Sequence, residues 1–388
     1  MKAFRYYSPV AMHVGRHCIE HSSELLSAYG ERAFIITSRF APGFKNLALE
    51  DMCAVLQSLG KEYRLWDRVE ENPSVESIRR VADSIIDFAP DYIIAIGGGS
   101  ALDTAKAANI LIKYPKGADA FHVFYDGEPD NKPSQALGKL RLLGIPTTAG
   151  SGAEMAGYAV LTRNDIGTKQ RMNQLSFFTD AFLDSRYIEN SPQWLIDAGA
   201  MDALAHGLEG YFNVSNNFSS NMLADIGFKL FSVYREHLLN GGLTEEDYDN
   251  MLLAASIQGM VVVSSSTTLP HGMSYALTHE KGLTHGLAVA VYQAEYLKVF
   301  KRPENLEKIA HILELTGFES IDALGDYLSE IVRRNVRLHV SAGELSAWVD
   351  AFSANTARLK RHPEPISREE IAGVYTRSLE RIGALNKE

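Results

Sequence analysis

The stretch IIAIGGGSALDTAKAANI, residues 93–110, decides how the chain is read. An apolar run, Asp91–Ile96 (DYIIAI), is bounded by Pro90 and Gly97, passes into three glycines, and gives way to an amphipathic pattern from Ser100. Such a run predicts a strand of a parallel sheet buried on both faces. Glycines adopt positive φ and let a ligand approach the backbone, and a helix start offers unpaired N–H groups and a positive dipole end to a phosphate. The spacing is not GxGxxG, so the turn reads either as an anion site or as a tight structural turn.

Around that stretch, short apolar runs alternate with helical patterns. Ala33–Thr37, Tyr63–Asp67, Leu140–Ile145 and Phe182–Leu183 are predicted strands, with helices over Leu47–Leu59 and Val75–Phe88. From about Ser191 the period is helical: Pro192–Tyr211, Asn217–His237, Thr244–Val263, Ala288–Phe300, Pro303–Leu315, Ile321–Val332 and Ser341–Asn355. Thr244 is an expected N-cap followed by acids, and Ser367–Glu370 an expected capping box. The expected architecture is an α/β domain over residues 1–185 and an all-α domain over 186–388.

The chain's 388 residues suit about two domains at ~150 residues each. With 46% hydrophobic and 22% charged residues, the composition is that of a packed globular protein. A net charge of −10 argues against nucleic acid as a partner. The longest apolar run, around Leu252–Val263, is too short to span a bilayer, and MKAFRYYSPV lacks the apolar centre of a signal peptide. The two cysteines, Cys18 and Cys53, supply neither a disulfide framework nor a thiolate zinc site. A cytoplasmic setting is expected, with no membrane partner.

A second turn, IPTTAGSG (residues 145–152), places hydroxyls and small residues after another predicted strand. Two such turns in one α/β domain favour a dinucleotide pyrophosphate as ligand. In the helical half, Asp202 and His206 stand four residues apart on one helix face. A polar break, SSSTTLPHG, brings His271, and a glycine-flanked loop, KGLTHG, brings His285. One carboxylate and three imidazoles suit Fe²⁺, Zn²⁺ or Mn²⁺ with positions left open. Equally, an Asp–x–x–x–His pair occurs on many surface helices, and a histidine beside glycine in a loop is often only a satisfied polar group.

Four ordered motifs then carry a resemblance: GGGS-x-x-D-x-x-K (Gly97–Lys106), IPTTAGSGAE (Ile145–Glu154), MDALAHGLEGY (Met201–Tyr211), and His271 followed fourteen residues later by His285. From about residue 5 onward the chain resembles the iron-containing, or group III, alcohol dehydrogenases. The resemblance implies an N-terminal dinucleotide-binding α/β domain, a C-terminal helical domain and an active site in the cleft between them. It implies Asp202, His206, His271 and His285 as ligands of Fe²⁺ (or Zn²⁺), and Gly97, Gly98, Gly99 and Ser100 as the pyrophosphate cradle. Asn72, Thr147, Thr148 and Lys169 follow as further cofactor contacts. Hydride would pass between NAD(P)(H) and a primary alcohol or aldehyde, with the ion as Lewis acid; a homodimer is expected.

Two positions depart from the family pattern. Many members carry a further His four residues after the third ligand; here Tyr275 stands there, with His279 one turn on, and these are the candidate proton-relay groups. NAD-using members often place Asp at the end of the first Rossmann-type strand, where this chain has Ser38 followed by Arg39. That pair predicts a preference for NADP(H) over NAD(H). Tyr158, Phe177 and Phe178 are candidates for substrate walls or for core. The run Arg358–Lys360–Arg361–His362 is either a solvated helix-end cluster or the hint of an anionic substrate, as in a phosphonoacetaldehyde-type reductase. Glycerol dehydrogenase and dehydroquinate synthase share the two-domain plan, and a non-catalytic metal-binding protein is the reading from another class.

Overall fold

The apolar run at 92–97 becomes β4 (Tyr92–Gly97), a central strand of a six-stranded parallel sheet in a computed structural model that describes residues 3–39, 45–126 and 140–385. Its partners are β1 (Ala11–Val14), β2 (Arg32–Thr37), β3 (Glu62–Trp66), β5 (Arg141–Pro146) and β8 (Asp180–Leu183), in the order β1-β8-β5-β4-β2-β3. Period-2 alternation sends their side chains into two cores. Phe34, Ile36, Ile93, Ala95 and Leu142 pack on one face with α4 (Val75–Phe88) and α5 (Gly99–Leu111). Ala33, Ile35, Ile94, Ile96 and Leu143 pack on the other with α1 (Cys18–His21), α2 (Ser23–Ser27) and α3 (Leu47–Ser58). Register is therefore fixed by burial, because a one-residue slip in β4 would exchange the two sets. The antiparallel pair β6 (Val160–Arg163) and β7 (Thr168–Arg171), with the short helices α6 (Ala120–Tyr125) and α7 (Arg186–Glu189), completes this unit, which comprises Tyr7–Thr148 and Gly152–Ser191.

The second unit holds Pro192–Glu388, the N-terminal residues up to Tyr6, and Ala149–Ser151. Its helices are α8 (Gln193–Phe212), α9 (Phe218–Asn240), α10 (Glu245–Ser265), α11 (Leu269–Lys281), α12 (His285–Leu297), α13 (Pro303–Thr316), α14 (Ile321–Asn335), α15 (Ala342–Ser353), α16 (Thr356–Leu359) and α17 (Arg368–Arg381). From Ile196 to Phe212 α8 is buried all round, which makes it the axis on which α9, α10 and α12 pack. Thr244 and Ser367 each close a capping box, with Asp247 and Glu370. Among the described residues no single helix is long and apolar enough to cross a membrane.

Two local expectations are corrected. SSSTTLPHG does not break into a loop that carries His271. Pro270 lies in the first turn of α11, where its missing N–H costs nothing and its fixed φ suits a helix, so His271 is helical. Likewise α12 starts at His285, three residues ahead of the predicted Ala288, and that histidine is a first helical residue.

Candidate metal centre and nucleotide turn

Asp202 and His206, one turn apart on α8, are both buried and meet His271 of α11 and His285 of α12. Asp202 Oδ1 lies 3.6 Å from His271 Nε2, 3.7 Å from His206 Nε2 and 3.9 Å from His285 Nε2. The His206 and His271 rings stack 4.9 Å apart, and those of His271 and His285 meet edge to face at 5.3 Å. These separations exceed a hydrogen bond. They approach the edge of about 3.4 Å that a tetrahedron with bonds of about 2.0–2.2 Å requires. Asp202 Oδ1 and His271 Nε2 are buried with no hydrogen-bond partner among the described residues, a state that burial penalises unless a cation takes their lone pairs. Asp202, His271 and His285 bring one ligand atom each within 4.8 Å of one another, and His206 adds a third imidazole 3.7 Å from Asp202 Oδ1; such a set fits a divalent transition-metal ion.

Gly286 lets this meeting happen. A Cβ there would lie 1.9 Å from the Ala198 carbonyl oxygen and 3.0 Å from Asp202 Cβ, so only glycine allows the start of α12 to abut α8 beside its aspartate.

Glu209 had no role in the sequence reading, although it was within reach there. It stands seven residues after Asp202 and three after His206, on the same face of α8. Fully buried, its carboxylate accepts from His271 Nδ1 at 2.6 Å, the Thr268 backbone N–H at 2.7 Å and Gln293 Nε2 at 2.8 Å. The first bond fixes the His271 tautomer and directs Nε2 toward Asp202. Burial opposes charge on His271, but Glu209 and Asp202 on either side outweigh it and push its pKa up to about 10. Burial alone would raise Asp202, yet the facing imidazoles hold its carboxyl well below the ordinary range.

In the α/β unit, β4 delivers Gly97 at φ +148°, Gly98 caps α5 in extended backbone, and Gly99 and Ser100 are its first residues. A Cβ on Gly98 would sit 3.0 Å from Thr148 Oγ1, so the turn and the Thr147–Thr148 segment lie in contact; Thr147 N–H donates to the Gly97 carbonyl. Asn72, at φ +54°, donates its N–H to Ser100 Oγ, and its Oδ1 accepts from Lys169 Nζ at 2.8 Å. Eight of the expected cofactor residues thus fall into two linked groups around the start of α5. Ser38 follows the end of β2; Arg39 beside it is exposed and ion-paired with Asp67, Nε to Oδ2 2.7 Å.

Asp103 and Lys106 of the glycine motif hold backbone. Lys106, wholly buried, donates to the carbonyls of Ala153, Ala156 and Tyr158 and pairs with Asp103 at 2.8 Å; the other Asp103 oxygen accepts from Val160 N–H. The turn after β5 is therefore pinned to α5 by one buried ion pair.

Tyr275, one turn after His271 on α11, stacks toward His285 at 6.4 Å between ring centroids, and its hydroxyl accepts from Arg358 Nη2 at 2.9 Å. His279 is exposed in the last turn of α11. Phe177 and Phe178 are buried core of the α/β unit, the latter under Gly144 of β5, and Tyr158 lies over Arg171 and Lys106, so these three do not serve as walls supplied by the helical half.

The family model for iron-containing alcohol dehydrogenases matches residues 9–184, and that for the C-terminal part of the Fe-containing alcohol dehydrogenase family matches residues 196–379. The chain belongs to the iron-containing alcohol dehydrogenase family. It is 26% identical over 390 residues to an NADPH-dependent butanol dehydrogenase of Clostridium saccharobutylicum, covering 99% of this chain and 95% of that one. It is likewise 26% identical over 379 residues to a sulfoacetaldehyde reductase of Bilophila wadsworthia, covering 93% and 95%. An iron-containing alcohol dehydrogenase of Thermotoga maritima superposes with a TM-score of 0.83 at 29% identity, over 97% of this chain and 100% of that one. The chain spans 38% of the length of a bifunctional aldehyde-alcohol dehydrogenase of Escherichia coli that it also matches.

Two outcomes follow from the buried carboxylate and the buried lysine. Glu209→Gln should weaken metal binding by about 10–100-fold, read by equilibrium dialysis of the purified protein; an unchanged Kd would remove Glu209 from the site. Lys106→Met leaves Asp103 Oδ1 and three carbonyls without their donor, and should lower stability by about 3–5 kcal/mol in urea unfolding.

Proposed function

We propose that the protein is a metal-dependent oxidoreductase that interconverts a primary alcohol and an aldehyde with a nicotinamide cofactor, working mainly as an aldehyde reductase. The observation that carries this reading is Asp202 Oδ1, buried without a hydrogen bond among the described residues and facing three imidazole nitrogens at 3.6–3.9 Å. Asp202, His206, His271 and His285 would hold Fe²⁺ or Zn²⁺, which when bound supplies a Lewis acid for the substrate oxygen. In the balanced reaction an aldehyde takes a hydride from reduced nicotinamide and one proton, leaving the alcohol and the oxidised cofactor.

The chain's own residues bind and orient. Gly97, Gly98 and Gly99 present backbone without side chains at the start of α5, where the N–H groups and dipole receive the pyrophosphate, joined by Ser100, Asn72, Thr147, Thr148 and Lys169. Glu209 keeps His271 in one tautomer. Tyr275 Oη accepts from Arg358, so its own proton is free to be donated toward the reacting oxygen. His279 would pass protons outward from there, supported by its exposure. A cytoplasmic homodimer belongs to the same reading, supported by two free cysteines and by an exposed apolar row, Phe218, Met222 and Ile226, along α9.

The cofactor preference we assign is NADP(H) over NAD(H). Ser38 at the end of β2 carries no charge to repel a 2′-phosphate, and Arg39 offers a guanidinium fork. Asp67 already pairs with that fork, so a phosphate would share it, and the exposed site is screened; the expected preference is about tenfold, not a hundredfold.

His206→Ala removes one ligand of four. The folded variant should retain less than a tenth of the bound metal and of the aldehyde-dependent oxidation of reduced cofactor; full metal content with full turnover would defeat the assignment. For the cofactor, kcat/KM with NADPH and NADH is compared for one aldehyde. The wild type should favour NADPH, Ser38→Asp should lower the ratio and Asp67→Asn raise it. A wild type that favours NADH ends the preference.

A further inference from the structure

The basic run at 358–362 resolves into separate roles. Lys360 is exposed, His362 is buried against Tyr296, and Arg361 donates to Ser266 and the Thr267 carbonyl. Arg358 turns onto α11. Its Nη1 donates to Thr267 Oγ1 at 3.2 Å and to the Thr268 carbonyl at 3.3 Å, and its Nη2 donates to Tyr275 Oη. The side chain lies so close to Gly272, the residue after His271, that a Cβ there would stand 3.2 Å from Arg358 Cδ and 3.3 Å from Nε.

Every one of those acceptors is neutral. Among the described residues no carboxylate pairs with Arg358, although it is part-buried. Two other part-buried arginines of this chain are each paired with a carboxylate: Arg186 with Asp184 and Arg381 with Glu295. The three bonds also leave the Nε–H and one Nη2–H of Arg358 without an acceptor among the described residues. A part-buried guanidinium with two free donors and no counter-charge among the described residues is a binding group for an oxyanion. Its position sets where that oxyanion belongs. The guanidinium carbon is 5.5 Å from the Tyr275 ring centroid, and that ring is 6.4 Å from the His285 ring.

We propose that Arg358 is the anion-binding subsite of the substrate pocket, so that the preferred substrates are short-chain aldehydes, or the corresponding primary alcohols, bearing an acidic group at the far end from the reacting carbon. The proposal rests on the oxidoreductase reading above and narrows its substrate class. The chemistry recognised is a terminal oxyanion; carboxylate, sulfonate and phosphonate are its three sources.

The test compares kcat/KM of the metal-loaded enzyme for succinic semialdehyde, sulfoacetaldehyde and phosphonoacetaldehyde with kcat/KM for propanal and butanal. Wild type should favour at least one anionic aldehyde by tenfold or more, and the best of the three names the acidic group. In Arg358→Met the anionic-to-neutral ratio should fall at least tenfold, mostly through KM, and Arg358→Lys should keep part of it. Loss of packing alone would lower both classes together and leave the ratio unchanged, which would overturn the proposal. Should Arg358→Met fail to fold, Arg358→Lys carries the comparison by the same ratio. Turnover of neutral aldehydes alone would leave the dehydrogenase reading standing and overturn the subsite. If neither class is turned over, the reading beneath fails, and calorimetric titration of ethanesulfonate into metal-loaded protein decides the subsite. There, at least tenfold weaker binding by Arg358→Met supports it, and equal binding overturns it.

Discussion

The Glu209 carboxylate is the tie on which the helical unit's chemistry depends. Burying an ionised carboxylate costs several kcal/mol, and it persists only where charge-assisted bonds saturate its oxygens. Glu209 meets that condition by drawing on the segment before α11, on His271 and on Gln293 of α12. One carboxylate on α8 thereby fixes where α11 starts, how His271 is turned and how α12 lies beside both. Asp202, two turns earlier on the same helix, meets the opposite condition: its Oδ1 has no donor among the described residues. The same face of one helix thus carries a fully satisfied acid that orients and an unsatisfied one that receives.

The α/β unit solves a similar problem with the signs reversed. Its turns after β4 and β5 are irregular backbone that the sheet does not hydrogen-bond, and buried carbonyls in such turns need donors. Lys106 supplies three of these donors from a position with no solvent exposure, and Asp103 neutralises it while accepting from Val160. The aspartate and lysine that follow the glycines in sequence are therefore the support for the glycines, not groups that face a ligand. Gly98 is then free to be bare, pressed against Thr148.

The sheet was legible because β2, β4 and β5 are buried on both faces and read as unbroken apolar runs between turn residues. β1 and the β6–β7 pair were not. β1 is a four-residue edge strand of mixed exposure, and β7 (TKQR) is wholly polar, so neither carries a periodic signal. Helix α11 was misread for a different reason. Serines and threonines lead into it and a proline lies in its first turn, the composition of a turn, and only a packing partner distinguishes a helix-opening proline from a breaking one. The four residues that meet at Asp202 Oδ1 were singled out by type and motif, whereas the pairing of Arg39 with Asp67 was not. It requires knowing that β2 and β3 are parallel neighbours whose ends emerge side by side.

Charge balance links these observations to function. Among the groups of the cluster, Asp202 and Glu209 bring two buried negative charges on one helix, and the three imidazoles bring none when neutral. Protonation of His271 is one way to offset them, which is why its pKa is pushed up to about 10 despite burial. A divalent cation would be the other: it would cancel both charges and give Asp202 Oδ1 and His271 Nε2 a partner, which the protonated imidazole at 3.6 Å does not reach as a hydrogen bond. A cation of charge two would balance the two acids, and Arg358 would then remain beside it without a carboxylate partner among the described residues. A neutral substrate would leave that cation unmatched in a part-buried place; an anionic one would complete the balance.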